Sequence, residues 1–556
     1  MRSALVAVLV VLASGATAQT EPDSARGPDI ARGGDLVAQA TELLASGDTG
    51  NANRLVRQGL DSAPDDPAWL TLRLQLQQRG VGLFGRPPFA RRRIRARTAR
   101  RLLDLDSTSA VAHDELGRQK LEDYLFDRDL IVVHDGFGEA NATHEIVQSR
   151  GRRPGDRTAA FNRGGRYDLE RLRQTFPFTG KPGMNRARDE AEAHLAAAER
   201  YGGAPFAWPL AKLYVSERDH EALLALAERI DDDLLRGAAL YRLGRTPEAA
   251  DAFERAVAAM SEAERLDLDD PKRVEPLASP RDRERFWARR DVRLLTDANE
   301  RLTEHRTRVV EADRLYGWRG EPGRDEPRGL IYVRYGAPAD RATLNQPFYP
   351  GDAHVSQGGE IMGSYRFDVW EYESGLRYVF SDPVWSGDYG IYSPSALAFS
   401  ANPSATNDDY IAQDERLARE MPDASQYDTR RVPMAMLTTV FRGENGTVDL
   451  VVASGVRMEG ASGAVVEVRD TVRTGVYVVR GGDRESQRET DATRLSPILS
   501  LPSGTYWASA AQVTATPGEV EIVAESGSAD AAGWVRETVQ VPALARGLTL
   551  SGLLLA

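Results

Sequence analysis

Apolar residues in the first half of the chain recur at the spacing of an amphipathic helix. Leu36, Ala40 and Leu44 share one helical face, and Gly47 ends that helix. Residues 51–62 repeat the pattern, and a Pro-Asp-Asp-Pro turn leads from them into a further helix. Because helices joined by such short turns pack as antiparallel neighbours, this part of the sequence predicts pairs of helices.

The clearest helical pair is residues 241–256, which read YRLGRTPEAADAFERA. Small residues at Gly244 and Ala249 would let the two helices approach closely, and Phe253 would fill the groove between them. The segment resembles tetratricopeptide repeats, which are helix pairs with a period of about 34 residues. The resemblance implies an array of stacked pairs over residues 34–280, with a surface suited to binding proteins.

Two segments of the array depart from this pattern. Residues 126–183 are rich in Gly, Arg and Asp, and they predict a long irregular insertion. Residues 86–101 contain eight arginines. One hypothesis for the arginines is a site for an anion or a phosphate group. The other, which we favour, is a solvated helix face whose arginines pair with nearby acids.

The pattern changes near residue 281. Residues 281–316 predict a long helix or a pair of helices with alternating charges. Aromatic residues then become frequent, and short segments typical of strands follow at residues 330–335, 366–372 and 376–380. Aromatic and β-branched residues suit a pleated, half-buried surface. We therefore predict a small aromatic-rich α+β domain over residues 281–400.

Alternation with period two dominates the chain from residue 432 onward. Glu-Asn-Gly at residues 444–446, between two alternating segments, is a strong hairpin signal. Several short strands separated by turn residues predict an immunoglobulin-like β-sandwich over residues 431–556. Residues 401–430 predict a polar connector with a short helix. The apolar tail at residues 548–556 predicts a last strand or a truncated chain.

The start of the chain predicts export. Arg2 precedes an unbroken apolar run at residues 4–13, and Ala-Thr-Ala at residues 16–18 is a small-x-small cleavage site. The run is too short to cross a membrane as a helix. We therefore expect residues 1–18 to be a cleaved signal peptide and residues 19–33 a disordered linker. The mature protein is expected to be periplasmic or secreted, with no integral membrane segment once the signal is removed.

Composition narrows the classes of function. The formal net charge of -12 disfavours binding to nucleic acid and docking on anionic lipid, which both need a basic face. The chain has no Cys, which excludes disulfides, thiolate metal sites, a cysteine nucleophile and a lipid-modified cysteine. Nearly all of the positive charge is Arg, because Lys occurs only four times.

Motifs for metal, covalent or cofactor chemistry are incomplete. His144 and Glu145 begin an HExxH pattern, but Gln148 stands where the second histidine would be. No Ser lies in a GxSxG motif or at SxxK spacing, and no phosphate-binding glycine loop is complete. We therefore predict no metal site and no cofactor. Chemistry by two carboxylates stays open, because Asp and Glu from distant segments leave no spacing signature.

A specific set of motifs lies in the aromatic-rich part of the chain. Residues 315–319 read LYGWR, residues 328–338 read RGLIYVRYGAP, residues 369–372 read VWEY and residues 387–389 read GDY. In these motifs the sequence resembles the bacterial proteins that contain a GWxTD domain. The resemblance implies a fold placement for the predicted α+β domain and no particular activity. The Thr of the motif is absent, and either Asp325 is its displaced Asp or the Thr-Asp pair is lost.

The aromatic residues of this domain supply the candidate binding residues. One hypothesis is that they pack inside a small sheet, with Trp318 closing the joint between helix and sheet and Asp388 capping a turn. We favour it because aromatic residues are common in strands and bury large areas. The other hypothesis is a groove that binds a glycan or a peptide by stacking. The candidate residues are Trp318, Tyr335, Tyr365, Trp370, Tyr372, Trp385 and Asp388.

The predicted fold class is therefore multidomain α+β, with a tetratricopeptide-like helical array, a GWxTD-like domain and an immunoglobulin-like β-sandwich. The predicted function is an exported, non-catalytic scaffold or binding protein that contacts protein partners through its helical repeats and its sandwich. The alternative is a periplasmic or secreted hydrolase or carbohydrate-active enzyme with a carboxylate-based site in the aromatic domain. The sequence leans towards the first without deciding whether the protein is an enzyme.

Overall fold

The computed structural model divides the chain into two compact units. The first comprises Met1–Ile230, Asp313–Gly329 and Ala337–Asp414, and the second comprises Asp231–Ala312, Leu330–Gly336 and Glu415–Ala556. The described residues are 29–86, 88–132, 184–275, 278–317, 321–347, 364–372, 377–382, 387, 389–391, 430–431, 433–457, 472–492, 498–501, 504–527 and 531–543.

Helices occupy the N-terminal half and mainly antiparallel sheets the C-terminal part, which confirms the predicted α+β class. No helix within the described ranges is long and apolar enough to cross a membrane. The predicted signal peptide, the helix of the connector and the apolar tail all lie outside the described residues.

The N-terminal part of the first unit is helical, as the sequence predicts. Its helices are α1 (Asp29–Ala45), α2 (Thr49–Ser62), α3 (Pro67–Gln78), α4 (Pro88–Leu105), α5 (Ala110–Arg128), α6 (Met184–Gly202), α7 (Trp208–Glu217) and α8 (His220–Ile230). The side chains of Asp48 and Asp66 cap α2 and α3 by accepting hydrogen bonds from backbone N–H groups in the first turn. Short capped turns therefore separate the first three helices.

One apolar core joins α1 to α5. Gly59 on α2 lets the ring of Trp69 on α3 come close, because a Cβ atom at Gly59 would lie 2.2 Å from Trp69 Cε2. Gly117 on α5 admits Leu195 of α6 in the same way, at 2.6 Å. The buried residues of the shared core are Ala40, Leu44, Ala52, Val56, Leu60, Trp69, Leu70, Leu72, Leu74, Leu76, Ala96, Ala99, Leu102, Val111, Ala112 and Leu116. Five successive helices thus bury their apolar faces against their neighbours, as in a stacked array.

A five-stranded sheet completes the described part of the first unit. Its strands lie in the order β1 (Leu130–Val132), β2 (Asp340–Pro347), β3 (Ser364–Glu371), β4 (Arg377–Asp382) and β5 (Gly390–Ile391). β1 and β2 are parallel, and the other neighbours are antiparallel. The strands predicted at residues 366–372 and 376–380 are confirmed as β3 and β4. The sequence did not predict β1, which lies in the predicted insertion, or β2.

The strand predicted at residues 330–335 is wrong, because this segment belongs to helix α14 (Pro327–Tyr335). Its apolar residues Ile331, Tyr332 and Val333 are all buried. A short apolar run that is buried on all sides has the same pattern in a helix as in a strand, and neighbouring elements then decide between the two. The Glu326 side chain caps the start of this helix, because it accepts a hydrogen bond from the backbone N–H of Arg328 at 2.8 Å.

The second unit begins with helices α9 (Asp233–Arg242), α10 (Thr246–Ala258), α11 (Glu262–Leu268) and α12 (Arg283–Arg290), and it contains most of α13 (Glu300–Tyr316). The pair α9–α10 turns at Gly244, whose φ is 74°. A Cβ atom at Gly237 would lie 2.9 Å from the ring of Phe253. The predicted helix or helix pair at residues 281–316 is a pair, α12 and α13.

The described C-terminal part of the second unit is a β-sandwich. Its strands are β6 (Arg430–Arg431), β7 (Met434–Arg442), β8 (Val448–Arg457), β9 (Val472–Arg480), β10 (Asp483–Ala492), β11 (Ile498–Leu501), β12 (Gly504–Ala515), β13 (Gly518–Gly527) and β14 (Ala531–Val541). One sheet has the order β10-β9-β13-β14-β6 and the other β11-β12-β8-β7. Leu450 and Val513 of one sheet pack in the same core as Val478 and Ile522 of the other.

The predicted hairpin is confirmed as the antiparallel pair β7–β8. Asn445 and Gly446 in its turn have φ angles of 55° and 85°, the left-handed conformation that these residue types tolerate best. The sequence did not predict β10, which reads DRESQRETDA and lies at the edge of its sheet. Polar edge strands lack the alternation that marks a half-buried strand.

Candidate functional site

The structure describes only part of the set of candidate residues from the sequence. Trp318, Trp385 and Asp388 lie outside the described residues, and for Tyr365 only the backbone, on β3, is described. Tyr335 ends α14 and belongs to the second unit. Trp370 and Tyr372 belong to the first unit, so the described members of the set are divided between the two units.

Trp370 is packed inside the first unit. Its side chain is 0% exposed, and its ring centroid lies 4.9 Å from that of Phe380 and 5.6 Å from that of Tyr316. Its indole Nε1 donates to Asp368 Oδ1 at 2.9 Å. Tyr372, at the end of β3, is partly exposed. An enclosed ring has no face for a ligand, so the contacts of Trp370 are those of a packing residue, and stacking on Tyr372 or Tyr335 stays a prediction.

Asp368 forms the centre of a buried ionic cluster next to Trp370. The side chain of Asp368 is 1% exposed and accepts from Arg341 Nε at 2.8 Å and Arg341 Nη2 at 2.7 Å. Arg328 Nη1 lies 3.6 Å from Asp368 Oδ2, and Arg341 Nη1 lies 3.9 Å from Asp129 Oδ2. We call Asp368, Arg328, Arg341 and Trp370 the Asp368 cluster. It ties β3 to β2 and to the start of α14.

Aromatic rings enclose the arginine side of the Asp368 cluster. The guanidinium carbon of Arg328 lies 3.9 Å from the ring centroid of Tyr389 and 5.0 Å from that of Tyr316. Burial raises the pKa of the Tyr316 hydroxyl well above its usual value. Burial also raises the pKa of Glu326, against the opposing effect of Arg328, to which it is hydrogen-bonded. These motif residues contact one another, so the described contacts indicate a structural role.

A second cluster, in the second unit, brings two carboxyl groups together. Asp291 follows α12 and is 8% exposed, and Glu300 begins α13 and is 2% exposed. The two side chains are hydrogen-bonded to each other. Glu300 Oε1 contacts the hydroxyl of Thr296, and Glu300 Oε2 has no hydrogen-bond donor among the described residues. Two ionised carboxylates in direct contact would repel each other, whereas a proton shared between them forms a hydrogen bond.

Burial sets the protonation of this acid pair. It raises the pKa of the Glu300 carboxyl far above the usual range, and the charge of Asp291 adds to the effect. Burial also raises the pKa of Asp291, although the hydrogen bond from Glu300 and the charges of Arg484 and Arg536 oppose the increase. The pair therefore retains a proton at neutral pH, as carboxyl dyads in low-dielectric sites do.

A small polar cavity of about 120 Å³ adjoins Asp291. Its lining combines side chains of the α12–α13 segment with strands of the sandwich, and consists of Ala288, Arg289, Asp291, Leu294, Asn299, Val479, Gly482, Arg484, Glu521 and Arg536. A polar space of this size has room for several water molecules. The pair could donate or accept a proton there, which is the chemistry that carboxyl dyads supply to hydrolytic sites.

The acid pair also has a structural aspect. Arg536 donates to the backbone oxygen of Asp291, and Glu525, on β13, accepts from Arg293 Nε at 3.0 Å and from the backbone N–H of Leu295 at 3.1 Å. The acid pair therefore lies in a joint where the α12–α13 segment is fastened to the sandwich. Within the described ranges, no three His, Asp or Glu side chains converge on a point that could hold a metal ion.

Comparisons with known proteins add no relative. No protein-family model matches this sequence, and a search of curated proteins finds no match.

Sequence reasoning missed the acid pair for an identifiable reason. Asp291 and Glu300 are two of 83 acidic residues, and nothing in their spacing distinguishes them. The predicted aromatic domain at residues 281–400 includes Asp291 and Glu300, but the sequence names no residues for a carboxylate site there. Along α13, Arg301 is adjacent to Glu300 in sequence, but the positions one helical turn on, Thr303 and Glu304, hold no base.

Proposed function

We propose that the chain is an exported, non-catalytic scaffold or binding protein that holds a protein partner on its helical array. The observation that carries this proposal is the single core shared by α1 to α5. Arrays of this kind bury one side of each helix against the next and leave an extended surface free for a partner. The β-sandwich would supply a second interaction surface.

The arginines on the exposed side of α4 support the proposal and indicate the charge of the partner. Arg92, Arg95 and Arg101 pair with Asp123, Glu115 and Asp65, as the solvated-face hypothesis expects for these three. The other set is Arg93, Arg97 and Arg100, which are exposed and have no ion pair or hydrogen bond among the described residues.

The spacing of these three arginines places them on one face. Residues four and three positions apart on a helix are neighbours, so Arg93, Arg97 and Arg100 form one basic stripe. The stripe is a local exception on a chain with a net charge of -12. An acidic segment of a protein partner is the complement that such a stripe attracts.

Several finer proposals accompany this function. The α9–α10 pair would be a tetratricopeptide-like unit, and its turn at Gly244 and its small-to-large contact between Gly237 and Phe253 support that assignment. The two packed sheets support an immunoglobulin-like topology for the sandwich. Resemblance to the GWxTD family rests on the sequence motifs. Placement in the periplasm or outside the cell rests on the predicted signal peptide.

A photo-crosslinking experiment on the exported protein tests the binding proposal. A crosslinking amino acid would replace Arg97, and partners captured in the native envelope would be identified by mass spectrometry. The triple change Arg93→Gln, Arg97→Gln and Arg100→Gln should lower binding of the captured partner at least about tenfold, because surface charges steer association. The matched control is Arg186→Gln, an exposed arginine on α6 that pairs with Glu190. Equal binding by the triple variant and the control would refute the stripe as a docking surface.

The acid pair favours one second candidate, a hydrolase that uses carboxylate chemistry at Asp291 and Glu300. The mature protein would be assayed on peptides, esters, phosphates and glycans, with and without chelator. Turnover that is lost in both Asp291→Asn and Glu300→Gln, while neither variant melts below the wild type, would establish this candidate. If the wild type turns over no substrate class faster than the two variants do, the hydrolase candidate is excluded.

A further inference from the structure

The cavity beside Asp291 brings together two distant parts of the chain within the second unit. It lies between the α12–α13 segment and strands β9, β10, β13 and β14. Its volume is about 120 Å³, so a small polyatomic ion fits in place of a few water molecules. Its charged lining residues are three arginines, Arg289, Arg484 and Arg536, and two acids, Asp291 and Glu521. The cavity is therefore richer in cations than the chain as a whole, whose net charge is -12.

Arg289 is held at the cavity by its stem, and its terminal nitrogens are unused. Its Nε donates to the backbone oxygen of Gly481 at 2.9 Å, and it makes no other hydrogen bond or ion pair with the described residues. Gly482, in the β9–β10 turn, permits this close approach. A Cβ atom there would lie 2.8 Å from Arg289 Cγ, and its φ is 99°. Both terminal nitrogens of Arg289 thus remain able to donate to an anion.

Arg484 is the second arginine of the cavity with unused donors. It lies opposite Val479 in the β9–β10 pair, and the register of the pair shifts directly after it. A bulge of this kind redirects the neighbouring side chains. The guanidinium carbon of Arg484 lies 5.2 Å from the ring centroid of Tyr477, and Arg484 makes no hydrogen bond or ion pair with the described residues. Arg484 and Arg289 therefore line one small cavity with no acid paired to either, and an anion between them would relieve their repulsion.

The two acids of the cavity have different partners. Asp291 is hydrogen-bonded to Glu300, and its backbone oxygen accepts from Arg536. Glu521 Oε2 lies 3.4 Å from Arg536 Nη1, whereas Glu521 Oε1 makes no hydrogen bond to the described residues. A carboxylate oxygen accepts a hydrogen bond from an acidic O–H group and repels an anion that has none. The cavity thus offers donors on two arginines and one acceptor on Glu521.

We propose that this cavity is a binding site for inorganic phosphate. Arg289 and Arg484 donate hydrogen bonds to the phosphate oxygens, and Glu521 accepts one from the O–H group that phosphate carries at neutral pH. Sulfate has the same shape and no proton, so it would place an unprotonated oxygen against the Glu521 carboxylate, which selects against it. The site is independent of the proposed docking stripe on α4. It is also independent of the hydrolase candidate, because binding requires no turnover.

Calorimetric titration of the intact mature protein with sodium phosphate tests the proposal, at pH 7 in a buffer of low ionic strength without other oxyanions. We expect one saturable site with a dissociation constant below about 1 mM. Sodium sulfate at the same ionic strength should bind at least about tenfold more weakly. Hydrogen exchange locates the site, because phosphate should slow exchange in peptides that cover α12 and the β9–β10 turn and leave the β7–β8 hairpin unchanged.

The variants separate the cavity from general surface charge. Arg289→Gln and Arg484→Gln should each weaken phosphate binding at least about tenfold, because each removes a charged donor. The matched control is Arg488→Gln, an exposed arginine on β10 outside the lining, which should change binding less than about twofold. Glu521→Gln should reduce the preference for phosphate over sulfate to at most about threefold, because an amide donates to either ion.

Three results would overturn the proposal. The first is the absence of saturable phosphate binding by the wild type. The second is equal binding of phosphate and sulfate, because Glu521 would then not read the proton of the ion. The third is a loss in Arg488→Gln as large as in the two cavity variants, because binding would then reflect net charge alone. Melting temperatures measured without phosphate check that each variant is folded.

Discussion

The acid pair makes the stability of the second unit depend on pH in a direction that can be worked out. Asp291 and Glu300 both have raised pKa values in the folded protein, so the folded state keeps a proton that the unfolded state has lost. A group of this kind stabilises the fold fully below its unfolded pKa, which for a glutamate is 4.5. The stabilisation is then lost as pH rises towards the raised pKa of the pair.

The expected magnitude follows from proton linkage. For each retained proton the free energy of unfolding falls by about 1.4 kcal/mol per pH unit within this window. Glu300→Gln removes the effect, because the amide still donates to Asp291 but does not titrate. We expect the variant to match the wild type near pH 5 and to be more stable than the wild type near pH 9.

Hydrogen exchange measures this locally, which avoids assuming a single unfolding transition for the two units. Peptides that cover α12 and β13 would be followed from pH 5 to pH 9, with rates corrected for the intrinsic pH dependence of exchange. The control is Glu444→Gln, an exposed acid in the β7–β8 turn that should leave the slope unchanged. If wild type and Glu300→Gln lose protection with the same slope, the pair does not share a proton as argued.

Three further predictions address packing, ion pairing and export. Gly59→Ala should lower the free energy of unfolding by about 1–3 kcal/mol, because the added Cβ would overlap the indole ring of Trp69. Gly50→Ala in the same helix should be neutral or slightly stabilising, since the nearest atom to its added Cβ is 3.7 Å away. Chemical unfolding compares the two variants. Asp368→Asn should destabilise the first unit by about 1–3 kcal/mol because it removes the charge that accepts two hydrogen bonds from Arg341, and a melting temperature unchanged from wild type would contradict the ionic role of the cluster. Sequencing of the exported protein should begin at Gln19, and a mature form that retains Arg2 would show that the signal is not cleaved.

The elements that the sequence predicted correctly are those controlled by neighbours along the chain. The helical pairs of α1 to α3 follow from a face repeated every three or four residues and from acids at the capping positions. The β7–β8 hairpin follows from Asn445 and Gly446, which adopt positive φ at low cost. These signals act within a few residues, so they can be read before the chain is folded.

Where local signals conflict or are missing, the tertiary structure determines which element forms and where a unit ends. Residues 330–335 have the composition of a strand, yet they form the end of α14, because burial on all sides removes the difference between the two patterns. The predicted domain at residues 281–400 is distributed between the two units. A boundary of this kind depends on which segments pack together, and composition along the chain does not record it.

The candidate chemistry was decided almost entirely by the fold. The chain contains 83 acids and four lysines, and the sequence assigns no special property to any of them. Asp291 and Glu300 become a proton-sharing pair because two helix ends place their carboxyl groups together away from water. Burial, with a further contribution from the charge of Arg328, lowers the pKa of Lys212 to about 8. Charge and residue type are properties of the sequence, whereas the distances and the burial that shift a pKa arise only when distant segments meet.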